Sequence, residues 1–420
     1  MRRFLGGRRS LGAVMGALLA GCAGQGNAPE AAALDQQQAD RVGPELYAPP
    51  PSLGGKQFVA KLGADGKAAD AALVNAMLNT PHAVWFTDGS PADVQHNVQL
   101  VVSRAQNQGT PVLVAYNVPF RDCAQYSAGG VASAADYAAW IDGFANGIGS
   151  SPAIVILEPD SLGVIPWFTS YWASGPDWCQ IPTADPATAA SDRLAMIRAA
   201  VARLNQQPNV KVYLDGTGPS WLGVGEITHR LLLAGVDQAA GFFLNVSNYE
   251  PTSNATHFGR WIGSCIALTQ TYAWWDPSWC ASQYAPDENG VYVQNYSDQH
   301  VADVYASYSW APPPATRFVI DTSRNGQGAW TPPADHPAGD PQTWCNVPGR
   351  GLGLRPTTRT GDALVDAYLW VKIPGESDGE CSRWSPVGGV DPVRGIMDPP
   401  AGAWFGDMAL ELVHGASPAL

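Results

Sequence analysis

Seven short apolar runs recur along the chain, at 83–86, 111–116, 153–157, 210–214, 241–244, 317–320 and 367–371. Each gives way to a polar or acidic residue: Asp88, Asp122, Asp160, Asp215, Asn245, Asp321 and Asp378. The third run, Ala153-Ile154-Val155-Ile156-Leu157, is rich in β-branched residues and too short for a buried helix. An unbroken apolar run of this length suits a parallel strand covered on both faces. Pro159 ends it, having no N–H to give to a ladder, so Glu158 and Asp160 sit where a buried strand runs out into a loop. Helical periodicity fills several of the gaps. It shows at 91–108 (Val94, Val98, Val101, Val102), 134–148 (Tyr137, Trp140, Ile141, Phe144) and 187–204 (Leu194, Ile197, Val201, Leu204). Strands alternating with helices predict a parallel sheet. Acids after a strand often only cap the next helix, but a polar residue after every strand favours a barrel with its site at the C-terminal rim. An open doubly wound sheet would gather its ligand residues at one switch point behind a glycine-rich phosphate loop; Trp85-Phe86-Thr87-Asp88-Gly89 is no such loop.

The first 55 residues lie outside this pattern. Arg2, Arg3, Arg8 and Arg9 precede an apolar run at 11–20, the arrangement of an export signal. That run is too short to span a bilayer as a mature helix. It closes on Leu19-Ala20-Gly21-Cys22, which resembles a bacterial lipobox. Residues 1–22 are therefore expected to be a lipoprotein-type signal, with Cys22 as the lipid-bearing N-terminus; an ordinary cleaved signal with an incidental cysteine is the alternative. The paired arginines also permit twin-arginine export. Residues 23–55, rich in Ala, Gln, Pro and Gly, read as a flexible linker, and 56–420 as one catalytic domain without a separate binding module.

Composition narrows the function. Sixteen Trp and 14 Tyr against 15% charged residues suit an exported enzyme with an aromatic-lined groove. A formal net charge of −13 argues against nucleic acid, and against anionic lipid through protein charge. Membrane contact is expected only through a lipid on Cys22, and the protein is expected to be a monomer. Six further cysteines, Cys123, Cys179, Cys265, Cys280, Cys345 and Cys381, point to disulfides in an exported chain, with the pairing open. No CxxC or His-rich spacing suggests a metal, and no cofactor is expected.

Ile156-Leu157-Glu158-Pro159-Asp160-Ser161-Leu162 resembles the signature of glycoside hydrolase family six, the inverting cellulases. Six more segments follow the same family in order: Tyr116-Asn117-Val118-Pro119-Phe120-Arg121-Asp122-Cys123, Tyr213-Leu214-Asp215, the stretch 244–249, the stretch 320–326, Trp344-Cys345-Asn346 and the stretch 369–379. Together they are far more specific than any one. The resemblance implies a distorted TIM-like barrel of about seven parallel strands and hydrolysis of a β-1,4-glucan, polysaccharide or oligosaccharide, with inversion. It implies bridges Cys123–Cys179 and Cys345–Cys381, which leaves Cys265 with Cys280 inside a Trp-rich stretch at 254–295.

An inverting glycosidase needs a protonated acid on the leaving oxygen and a base for water on the opposite face. The resemblance assigns Asp160 as the acid, Asp122 as the neighbour that keeps it protonated, and Asp378 as the base. Asp215 would complete the acidic cluster and hold sugar hydroxyls. Tyr116 would press the reacting sugar out of its chair, though a core tyrosine is the plain alternative. Trp85, Trp221 and Trp344 would be platforms for sugar rings, and Asn245, Lys372 and Glu376 polar contacts. Two positions depart from the family. Gly218 stands where a histidine is usual, and Ala128 where a serine precedes a Gly-Gly pair, with Ser127 one step off. A short loop after Cys123 favours an open cleft and internal cleavage, while 381–402 is long enough to roof part of it. A lipid-anchored glucan-binding protein that has lost turnover is the rival reading; four acids brought together speak against it, since burying them is costly unless chemistry requires it.

Overall fold

Each apolar run becomes a strand because its side chains alternate between two dry layers. The computed structural model describes residues 45–420 apart from 172, 287–291, 295, 335, 337–338 and 384–388. Its main sheet contains β1 (Val84–Phe86), β2 (Val112–Ala115), β3 (Ala153–Leu157), β4 (Val210–Asp215) and β5 (Gly241–Leu244). After a separate antiparallel hairpin, β6 (Tyr284–Pro286) and β7 (Tyr292–Gln294), it is completed by β8 (Arg317–Asp321) and β9 (Val365–Leu369). The order is β1-β2-β3-β4-β5-β8-β9, with every pair parallel. The sheet curls into a distorted barrel whose edges meet through one backbone bond, Ala83 N–H to Trp370 O at 2.9 Å. The α/β fold class read from the sequence is the one that forms.

Inside the curl lie Val112, Val114, Ile154, Ile156, Tyr213, Phe243, Val319, Ala367 and Leu369. Their neighbours Leu113, Ala115, Val155, Leu157, Val212, Leu214, Phe242, Leu244, Phe318 and Ile320 face outward under the helices. Those helices are α3 (Pro91–Ala105), α4 (Ala134–Ile148), α5 (Ala189–Leu204), α6 (Val224–Leu233), α7 (Thr252–Thr271) and α8 (Asp298–Ser307). Ser90 starts α3 with a capping box to Asp93, and Ser133 caps α4 through Asp136 N–H. The expected starts at 91 and 134 match; α5 begins at Ala189 rather than 187.

Two expectations change. The linker does not run to residue 55: Leu46 is buried in the inner layer, Tyr47 N–H bonds Thr110 O at 3.0 Å, and a helix, α1 (Leu53–Ala64), starts before it. Isolated apolar residues among prolines carry no period, so the packed N-terminal edge was invisible. The part of the linker at 23–44, the signal at 1–22 and Cys22 lie outside the described residues. The last strand runs from Val365 to Leu369 rather than 367–371, because a register shift beside Phe318 and Val319 brings Val365 into the ladder. That bulge also switches the parity, so Val365 joins the outer layer while Ala367 and Leu369 face inward.

A third apolar layer was not foreseen. α1, α2 (Ala68–Leu78) and the C-terminal α9 (Gly406–His414) bring Leu62, Val74, Met77, Met408 and Leu412 against Trp370, beside the junction of β9 with β1. The two bridges that the resemblance implied form, Cys123–Cys179 and Cys345–Cys381, and the remaining two cysteines pair as Cys265–Cys280.

Phe242 and Phe318 stack with ring centroids 5.3 Å apart, and Gly259 of α7 leaves room for the Phe318 ring. Phe318→Ala should therefore destabilise the domain by about 3–5 kcal/mol, read from urea unfolding midpoints. A midpoint equal to wild type would show that this ring is not part of the packed layer.

Candidate active site

The rim is assembled by acids that end one strand and hold the backbone beyond its neighbour. Glu158, fully buried after β3, accepts from Asn117 N–H at 2.9 Å and Val118 N–H at 3.1 Å, both beyond β2. Asp215, the last residue of β4, accepts from Leu162 and Gly163 N–H at 3.1 Å each, beyond β3, and from Thr217 N–H at 2.9 Å. Asp321 ends β8 and accepts from Ser247 N–H beyond β5, from Val371 and Lys372 N–H beyond β9, and from Ser323 N–H. Buried Arg193 on α5 adds a clamp between two loops, donating to Ser161 O and Val164 O on one side and to Pro119 O on the other. The loops so held turn through left-handed backbone at Phe120, Asp122, Glu158, Asp160, Thr217 and Asn245. Such conformations cost non-glycine residues about 1–3 kcal/mol each and persist only where surrounding contacts impose them.

The pinned loops enclose a cleft of about 1410 Å³ lined by Asp160, Asp122 and Asp378 together with Trp85, Tyr116, Trp221 and Trp344. Burial is the main reason the Asp160 carboxyl is held far above the usual range, reinforced by the negative charges of Asp215, Asp122 and Asp378. Both effects favour the protonated form of Asp160. Asp122 is raised to about 6, chiefly by burial, although Ser127 N–H donates to it at 2.6 Å and Arg121 lies beside it. Asp378 goes the other way. Burial alone would raise it, but Arg324 at 2.9 Å and Lys372 at 3.2 Å, with Asn346 N–H at 2.9 Å, hold it below the ordinary carboxylate value. One cleft thus holds a carboxyl biased toward its protonated form and another biased toward ionisation.

The remaining expected residues divide. Tyr116 and Trp85 meet edge to face at 5.4 Å on the cleft wall, and Trp85 is fixed by its indole N–H to Val371 O at 2.8 Å. Trp221, Trp344, Lys372 and Glu376 also line the cleft, and Glu376 is raised to about 7 by burial. Asp215 does not reach it. It is 2% exposed and its oxygens are taken by three backbone N–H groups, so it is a pin beneath Asp160 and not a ligand for sugar hydroxyls. Asn245 borders the cleft, yet its side chain is spent on Asp321 O and on Glu250 N–H and O. Gly218 lines the cleft with nothing nearer to an added Cβ than Asn245 Cα at 4.0 Å, leaving open space where the family has a histidine. Ala128 and Ser127 are both on the wall.

Sequence reading missed Arg324 as the cation on Asp378, and Tyr249, whose ring lies 4.5 Å from the Arg324 guanidinium. Both fall inside stretches that had been matched, but nothing in their spacing marks them as neighbours of Asp378. Trp178, next to the stapled Cys179, and Trp330 complete the aromatic wall and lie in stretches without period.

A protonated carboxyl and an ionised carboxylate in an aromatic cleft at a barrel rim are the equipment of a glycoside hydrolase. The chain belongs to glycosyl hydrolases family 6, whose model matches residues 43–416. It is 36% identical over 338 residues to Endoglucanase 1 of Streptomyces halstedii, covering 80% of this chain and 82% of that one. It is 31% identical over 375 residues to Endoglucanase A of Cellulomonas fimi, covering 88% of this chain but 61% of the other. The endoglucanase Cel6 of Mycobacterium tuberculosis, solved with methyl-cellobiosyl-4-deoxy-4-thio-β-D-cellobioside, superposes with a TM-score of 0.62 at 31% identity, over 89% of this chain and 98% of that one.

With Asp160 as acid and Asp378 as base, the two shifts predict a pH profile. Activity should fall as pH rises through the elevated Asp160 pKa, and on the acid side only as pH drops through the depressed Asp378 pKa. Arg324→Met removes the main cation on Asp378, so its pKa rises and the acid limb of kcat should move up by about 1–3 pH units. An acid limb that stays in place would separate Asp378 from catalysis.

Proposed function

We propose that the protein hydrolyses β-1,4-glucosidic bonds of cellulose or a related β-glucan with inversion, cutting within chains. The observation that carries this reading is the opposed electrostatic setting of Asp160 and Asp378 in one cleft, the first buried among acids and the second paired with Arg324 and Lys372. Asp160 gives its proton to the departing glycosidic oxygen, and Asp378 takes a proton from the water that attacks the anomeric carbon from the opposite face. Asp122, through its charge, helps keep Asp160 protonated. Tyr116 crowds the reacting sugar toward the flattened ring of an oxocarbenium-like state. Trp85, Trp221 and Trp344 offer indole faces to the apolar faces of successive glucose units.

Cutting within chains is supported by the endoglucanases among the relatives and by the short loop after Cys123. Ala401 and Gly402 bring the end of the 381–402 loop onto the cleft wall, where it covers part of the groove. Export and a lipid on Cys22 belong to the same reading: three disulfides need an oxidising compartment, and the stretch before residue 45 would tether the barrel at a membrane surface.

Proton NMR of the first products from a soluble cello-oligosaccharide should show the α-anomer appearing before mutarotation; an initial β-anomer would end the inverting assignment. Asp160→Asn should lower kcat/KM on unactivated glucan by about 10²–10⁴-fold while leaving oligosaccharide binding nearly intact. Turnover at the wild-type rate would remove Asp160 as the acid.

A further inference from the structure

Behind Asp378 lies a second pair of carboxyls with no part in the mechanism above. Asn346 brackets Asp378 from both sides, its N–H donating to Asp378 Oδ2 at 2.9 Å and its Oδ1 accepting from Asp378 N–H at 2.8 Å. The Asn346 amide is set in turn by three acceptors: Gly379 O at 2.8 Å, Ser377 Oγ at 3.0 Å and Asp398 Oδ2 at 2.8 Å. Asp398 comes from the 381–402 loop and is 2% exposed. Its other oxygen, Oδ1, meets no donor among the described residues. Within 4.8 Å stands a carboxylate oxygen of Asp391, which is itself fully buried and accepts from Arg383 Nε at 2.7 Å.

A buried carboxylate oxygen with no donor, beside a second carboxylate, is unstable unless one of the two holds a proton. Arg383 is already divided between Asp391 and Asp340, each within 2.9 Å. Arg394, the other cation facing this site, is paired with Glu411 of α9 and donates to Asn346 O at 2.6 Å. The sulfur of Cys381 beside the pair is tied to Cys345 and offers no thiol. A proton on Asp398 Oδ1 would remove the charge from that oxygen and from the side facing Asp391.

We propose that Asp398 is a positioning residue for hydrolysis, acting as the protonated partner of Asp391 to orient Asn346 and, through it, Asp378. Burial and the Asp391 charge are consistent with this, raising the Asp398 carboxyl to about 7. Loss of the proton leaves two carboxylates facing each other in a dry site, and the loop that carries Asp398 can relieve them only by moving away from Asn346. The positioning role rests on Asp378 belonging to the hydrolytic machinery; the protonation of Asp398 does not.

Two measurements on the full chain test the two halves separately. Asp398→Ala should lower kcat by at least about tenfold with KM little changed. It should also raise the acid limb of the kcat–pH profile, because Asp378 loses the hydrogen bond that Asn346 supplies. Asp398→Asn, which still accepts from Asn346 and can donate to Asp391, should restore both. Unchanged kcat and acid limb in Asp398→Ala, or no rescue by Asp398→Asn, would overturn the positioning role. The second measurement is the pH dependence of urea unfolding, which needs no activity. A carboxyl whose folded pKa is raised gives stability that is complete below its unfolded pKa, about 3.9, and is lost as pH climbs through the folded value. Between about pH 4.5 and 6.5 the unfolding constant of Asp398→Asn should therefore vary with pH by one proton fewer than wild type. Equal slopes would show that Asp398 is ionised in the native protein, and should Asp398→Ala not fold, this comparison with Asp398→Asn still decides the protonation.

Discussion

The structure depends on buried carboxylates that accept backbone N–H groups across the strand ends. Glu158 ties the end of β3 to the chain beyond β2, Asp215 ties β4 to the chain beyond β3, and Asp321 ties β8 to the exits of β5 and β9. Each removes a charge from water, and each is compensated by two to four charge-assisted bonds of known direction. A parallel barrel positions its strands by ladder hydrogen bonds, but those stop at the rim. Beyond it such crosslinks, with the Arg193 clamp and the disulfides Cys123–Cys179 and Cys345–Cys381, keep the rim loops from drifting.

This explains how one rim holds acids in opposite states. Asp160 is buried and feels the negative charge of Asp215, and both favour its protonated form. Asp378 is paired with Arg324 and Lys372, which outweigh its own burial. The difference lies in what each loop is pinned against, not in the residue type. Loosening a pin would change the pKa of a catalytic group as well as its position.

The aromatic wall has a similar division of labour. Trp85 is held by the carbonyl of Val371 and Tyr116 lies under the Arg121 guanidinium at 4.9 Å, so both present fixed surfaces to the cleft. Trp178, 58% exposed, is held mainly by the neighbouring Cys123–Cys179 staple.

The sequence by itself determined the seven strands, their parallel arrangement, three of the helices among them and the presence of acids at the rim, but not the longest helix, Thr252–Thr271. Period and run length are local properties, and burial on two faces leaves a local mark. It also pointed to Asp160, Asp122 and Asp378, through motifs whose order is specific. Only the tertiary structure decided that Asp215 and Asn245 serve the backbone and not the cleft, that Arg324 is the cation on Asp378, and that Leu46 belongs to the barrel interior. An aspartate after a strand looks the same in sequence whether its oxygens face a cleft or three amide hydrogens. For Asp215 two of those three hydrogens belong to Leu162 and Gly163, more than fifty positions earlier, which come near it only once the sheet has curled.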